Sequence, residues 1–164
     1  MAVNKYKEHV WVLAEDDATR QLANGFLLSP SLDGTRIDIR SPSRGWTRVL
    51  EDFSNNQVAG LRRYELRHLV LLIDFDNQVE SRLQLFRETC PHDLLERVYM
   101  LGSRDEPEPL RTALNLSLEE IGSNLANNCA DRSGSLGLWA HDLLKHNESE
   151  IIRLTSGVKH FLFR

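Results

Sequence analysis

Cysteine is scarce. The chain has two, Cys90 and Cys129, far apart and in no CxxC arrangement, which excludes a zinc knuckle or a redox pair and fits a reduced, cytoplasmic setting. No apolar run approaches the roughly 18 residues that a membrane span needs. The opening "MAVNKYKEHV" has no apolar leader segment, so a soluble chain without a membrane partner is expected. Positive charge is short as well: a net charge of -4 and a pI near 5.9 argue against holding nucleic acid by global charge. GxSxG, Walker and GxGxxG patterns are missing, and with them the support for a nucleophilic hydrolase or a nucleotide cradle. Neither repeats nor low-complexity tracts occur.

What is present is an alternation of apolar runs and helical periods, the pattern of an α/β domain. At 164 residues and 41% hydrophobic content, one domain covering residues 1–164 can bury its own core. "HVWVLA" reads as a first strand and "DATRQLANGFLL" as a helix with Asp17 as its N-cap. "TRIDIRS" alternates through Ile37 and Ile39 as a second strand near an edge. Trp46, Val49, Leu50 and Phe53 follow the helical i, i+3, i+4, i+7 rule. "HLVLLIDFDN" is a strand covered on both faces, followed by a helix whose stripe of Val79, Leu83, Phe86 and Cys90 stops at Pro91. "RVYMLGS" makes a fourth strand, and "RDEPEP" a loop into a helix with proline in its first turn. Capping boxes are expected at Ser117 with Glu120 and at Asn147 with Glu150. "DRSGSLG" reads as a mobile loop and "VKHFLFR" as a closing strand. The expected fold is a mainly parallel, Rossmann-like sheet of about four strands over residues 9–103, with helices on both faces and a helical C-terminal third over residues 104–164.

Two strands end in acid. "VWVLAEDDA" puts Glu15, Asp16 and Asp17 after the first, and "LLIDFD" puts Asp74 and Asp76 after the third. In an extended chain, residues i and i+2 point the same way, roughly 6.5 Å apart, close enough to share one cation. If the two strands are parallel neighbours, Glu15 converges on the Asp74/Asp76 pair at the sheet edge where α/β proteins bind ligands. Clustered carboxylates repel and call for compensation by a cation; hard oxygens suit Mg²⁺ or Mn²⁺. The plainer alternative is that these acids only cap the helices that follow.

This arrangement resembles the Toprim domain of topoisomerases, primases, OLD-family nucleases and small ribosomal RNA maturases. The resemblance spans roughly Val10 to Ser103 and rests on "VLAED" with Glu15 and "LLIDFD" with Asp74 and Asp76. It implies Glu15 as general acid/base, Asp74 and Asp76 as Mg²⁺ or Mn²⁺ ligands, and a small, nuclease-type protein acting on nucleic acid. Arg20 and Arg44 are the candidate phosphate-binding residues, and Asp16, Asp17 and Glu108, or Glu106 beside it, candidate further acids. Unlike many members, this chain has no glycine soon after either acidic motif. A second resemblance is to receiver domains of two-component signalling, with Asp16 and Asp17 as the acidic pair and Asp74 as phospho-acceptor. The lysine such domains place after a fifth strand does not follow Ser103 until Lys145. A third reading is a non-catalytic interaction module partnered with an ATPase or effector protein. "LRRYELRH" and "RGWTR" form local basic clusters that read first as solvated helix faces. The three tryptophans read as core residues; the six histidines are scattered, and His141 with Lys145 and His146 reads as a helix surface rather than a zinc site.

Overall fold

The computed structural model describes residues 2–131 and 133–164. These form one four-stranded, fully parallel sheet in the order β2-β1-β3-β4, from β1 (His9–Ala14), β2 (Ile37–Ile39), β3 (Arg67–Leu72) and β4 (Val98–Leu101). The residues of β3 alternate between two layers because successive side chains leave opposite faces of a strand. Val70 joins Val10 and Val12 on one side, under α1 (Asp17–Phe26) and two helices of the last third, α6 (Leu118–Ala130) and α7 (Glu148–Leu162). Leu69 and Leu71 join Leu13 on the other, under α2 (Trp46–Asp52), α3 (Val58–Arg63) and α4 (Val79–Thr89). Between α4 and α6 lies α5 (Pro107–Leu114), with proline at its first position. The α/β class, helices on both faces and a helical last third agree with the sequence.

Several local expectations change. Asp16, not Asp17, caps α1: its Oδ1 accepts from Thr19 N at 2.9 Å, while Asp17 lies exposed in the first turn. The helix from Trp46 runs on past Phe53 through a π-helical turn, Phe53–Gln57, into α3. Ser117 and Glu120 do form the capping box of α6. Asn147 caps nothing with its side chain; it ties down Gly102 instead, with Nδ2 donating to the Gly102 carbonyl and Oδ1 accepting from its amide. Glu150 accepts from Met100 N and pairs with Arg153. "VKHFLFR" is mostly the end of α7, with only Phe163 bridging to Leu32, because Ile151, Leu154, Val158 and Leu162 form a helical stripe that buries against the sheet. The "DRSGSLG" segment includes Arg132, which lies outside the described residues; Gly137 opens a short helical turn bearing the buried Trp139. Trp11 and Trp46 are only half-buried, each under arginines. Arg67 is no solvated residue at all, being 2% exposed.

Candidate functional site

In the strand order, β1 leads to β2 on one side and β3 lies on the other, so the winding direction reverses between β1 and β3. Outside the carboxyl ends of strands at such a reversal there is a natural crevice. Both strands deliver acid there. The ladder continues one step past each strand: Glu15 N donates to Leu72 O, and Ile73 N to Leu101 O. Asp74 N then donates to Glu15 Oε2 at 2.7 Å, which locks the two acidic ends together.

Oxygens of Glu15, Asp16 and Asp74 all lie within 4.8 Å of one another. Asp74 is 5% exposed, and its Oδ1 is buried without a hydrogen-bond partner. Burial, then the charges of Asp16, Glu15, Asp76 and Glu106, push its carboxyl up to about 8. Burial also raises Glu15, against the hydrogen bond from Asp74 N. Asp16 serves two masters, capping α1 with one oxygen while standing in the cluster.

Asp76 is placed differently. The chain leaves the extended conformation at Asp76 (φ 47°) and Asn77 (φ 60°), so the i, i+2 geometry expected for Asp74 and Asp76 is broken. Both adopt the left-handed turn that a glycine would otherwise take, which is why none is needed after "DFD". The Asp76 carboxylate, 48% exposed, pairs with Arg82 Nη2 at 2.9 Å; it adds to the field on Glu15 and Asp74 without joining the three clustered acids.

Arg82 went unnoticed in the sequence. Its side chain is buried, donates to the Asp74 carbonyl and to Asp76, and stacks on Trp46 at 4.4 Å. The available signal was an arginine on the first turns of the helix that follows the Asp-x-Asp motif, aimed back at the strand end. Arg44 (φ 66°) sits over the end of β1, its amide donating to Glu15 O at 2.7 Å. Arg20, one turn along α1 from Asp16, and Arg104, beyond β4, each carry a buried Nε without a partner. Glu108 pairs with Arg111 on α5 and is not among the clustered acids; Glu106 is the one whose charge reaches Asp74. Lys145 pairs with Asp142 at 3.1 Å. His146 is half-buried, its Nε2 2.7 Å from the Gly102 carbonyl and its ring edge-on to Phe75. Compared with known proteins, the chain matches no family model, no curated sequence and no solved structure.

Proposed function

We propose that this protein is a Toprim-like, Mg²⁺- or Mn²⁺-dependent phosphoryl-transfer protein of nuclease type, acting on nucleic acid. The observation that carries the proposal is the buried, unpartnered Oδ1 of Asp74, set among Glu15 and Asp16 at the β1/β3 crossover. Leaving a buried carboxylate oxygen unpaired costs roughly 1–3 kcal/mol, so the arrangement suits a bound cation. The donor set fits such an ion. Three hard carboxylate oxygens within 4.8 Å of one another are the donor type that Mg²⁺ or Mn²⁺ takes, and Asp74, Asp16 and Glu15 would supply them. When bound, the ion supplies charge to a phosphoryl oxygen and acidity to a water.

The chain's own groups divide the rest of the work. Asp74 and Asp16 offer the oxygens that hold the ion, with Asp76 available beside them if it leaves Arg82. Glu15, its carboxyl raised above the ordinary range by burial, is suited to take and return a proton. Arg82 fixes the Asp74 strand end through its carbonyl. Arg20 and Arg44, with Arg104, are the guanidinium groups available to neutralise phosphate.

A cleavage assay on labelled DNA and RNA, with Mn²⁺, Mg²⁺ and chelator, tests the reading. Metal-dependent cleavage that Asp74→Asn abolishes is expected. An intact-mass gain of one phosphate on Asp74 from a small phosphodonor would favour the receiver alternative instead. Neither cleavage nor metal binding would leave the interaction module.

A further inference from the structure

Back along β1 from the acidic crevice, cations and aromatic rings alternate in a continuous ladder. The Arg40 guanidinium lies 4.4 Å from the Trp11 ring, and Arg67 lies 3.5 Å from the same ring. Arg67 also faces Tyr64 at 4.7 Å, and Tyr64 is flanked by Arg63 at 5.4 Å and Lys5 at 5.5 Å. Tyr6, 79% exposed, stands edge-on to Tyr64 at the outer end.

Charge in this ladder is unbalanced. Arg67 is buried, and among the described residues its guanidinium makes one hydrogen bond, from Nε to His9 Nε2; Nη2 has no partner, and neither has the indole N–H of Trp11. The charge of Asp38 reaches Arg67 without bonding it, so this buried cation is poorly compensated, and an anion brought close recovers part of that cost. The acid that bonds a ladder cation is Asp38, held by Arg40 in a surface pair at 2.8 Å, of a kind worth about 0–1 kcal/mol. Arg40 can therefore leave the Trp11 face cheaply. From Arg40 the chain runs alongside the end of β1, with Arg40 N donating to Val12 O, Ser43 N to Ala14 O and Arg44 N to Glu15 O. The path from Trp11 to Glu15 is about 13 Å of strand.

We propose that this ladder binds single-stranded nucleic acid, with bases stacking on Tyr6 and on Trp11 in place of Arg40, and phosphates meeting Lys5, Arg63 and the displaced Arg40, while buried Arg67 adds its charge from beneath the Trp11 ring. Rings interleaved with cations suit unpaired bases, which have free faces to stack, whereas a duplex offers only its phosphates. That the bound strand continues to Glu15 rests on the proposed function; the binding itself does not.

The test is anisotropy of a labelled oligothymidine of about 20 nucleotides in chelator at low salt, against a duplex of equal length and a polyglutamate competitor. Expected are binding with tryptophan quenching, weakening with salt, preference over duplex, and at least tenfold loss in Tyr6→Ala/Arg63→Ala. Both positions are exposed, so the variant should keep the parent's melting temperature, and Tyr6→Phe should keep affinity. No binding, an unchanged double variant, equal duplex binding or displacement by polyglutamate would overturn the proposal. The Mn²⁺-induced thermal shift, measured separately, distinguishes the two readings: a parent indifferent to metal that still binds oligothymidine loses the nuclease reading and keeps the ladder.

Discussion

At Asp74 burial and charge oppose each other, and the contest can be followed with pH. Its folded carboxyl titrates at about 8, far above its ordinary 3.8, so the folded chain keeps a proton that the unfolded chain releases. That contribution to stability is present at low pH and is lost as pH rises through 8. His68 has the opposite sign: burial pushes it down to about 4, so stability is lost as pH falls from 6.5 toward 4. His9 and His146, also lowered by burial, act with His68, and Glu15 acts with Asp74. Between about pH 6.5 and 8.5 Asp74 therefore governs the slope. Melting scans in chelator should show the parent losing stability across that window and Asp74→Asn staying flat, at or above the parent at the alkaline end. With Mn²⁺ the parent's thermal gain should grow over the same range, since the ion must displace the proton, and the variant should show little gain. A variant destabilised equally with and without metal would make Asp74 purely structural. The acidic strand ends themselves could be read directly, because an apolar run meeting charge is a local pattern. The turn at Asp76 and Asn77 could not, because its left-handed backbone follows from Arg82 holding Asp76 and from the Asn77 amide bonding to Arg104 O.

Helix ends and helix crossings carry the next scale. Asp16 combines a cap with a place in the acidic cluster, and two substitutions separate these roles. Asp16→Asn keeps a good cap and should melt in chelator at or above the parent while losing part of the Mn²⁺ gain; Asp16→Ala should lose about 1 kcal/mol of cap in chelator and, in Mn²⁺, part of the metal gain as well. The crossing of α1 and α6 is made by glycine against backbone. A Cβ on Gly122 would stand 2.0 Å from Leu22 O, and one on Gly25 2.1 Å from Glu119 O. Gly25→Ala should therefore force the helices apart and cost about 1–3 kcal/mol by denaturant titration, despite alanine's better helix propensity. Elements whose signals are local were readable: the "SLEE" box, the proline-led α5, the stripe of α4. Asn147 was not, since its partner Gly102 is distant in sequence and only the packing of α7 beside β4 brings them together.

Across the whole molecule, two layers of helices hold a short parallel sheet whose crossover gathers the acids, and among the described residues no helix is long and apolar enough to span a membrane. Metal binding should report on this assembly as a unit. An ion at about ten times its dissociation constant stabilises by about 1.4 kcal/mol, roughly 3–6 °C in melting temperature for a chain of this size, and a parent melting identically in chelator and excess Mn²⁺ would remove the metal site. By itself the sequence determined the α/β class, most element positions and the acid at two strand ends, because each depends on periodicity and on neighbours a few residues away. Only the tertiary structure decided that β1 and β3 are parallel partners, that Asp16 joins Glu15 and Asp74 while Asp76 turns to Arg82, and that Arg67 is buried between Trp11 and Tyr64. Those outcomes depend on contacts between segments brought together by strand order, and on burial, which sets the cost of each charge.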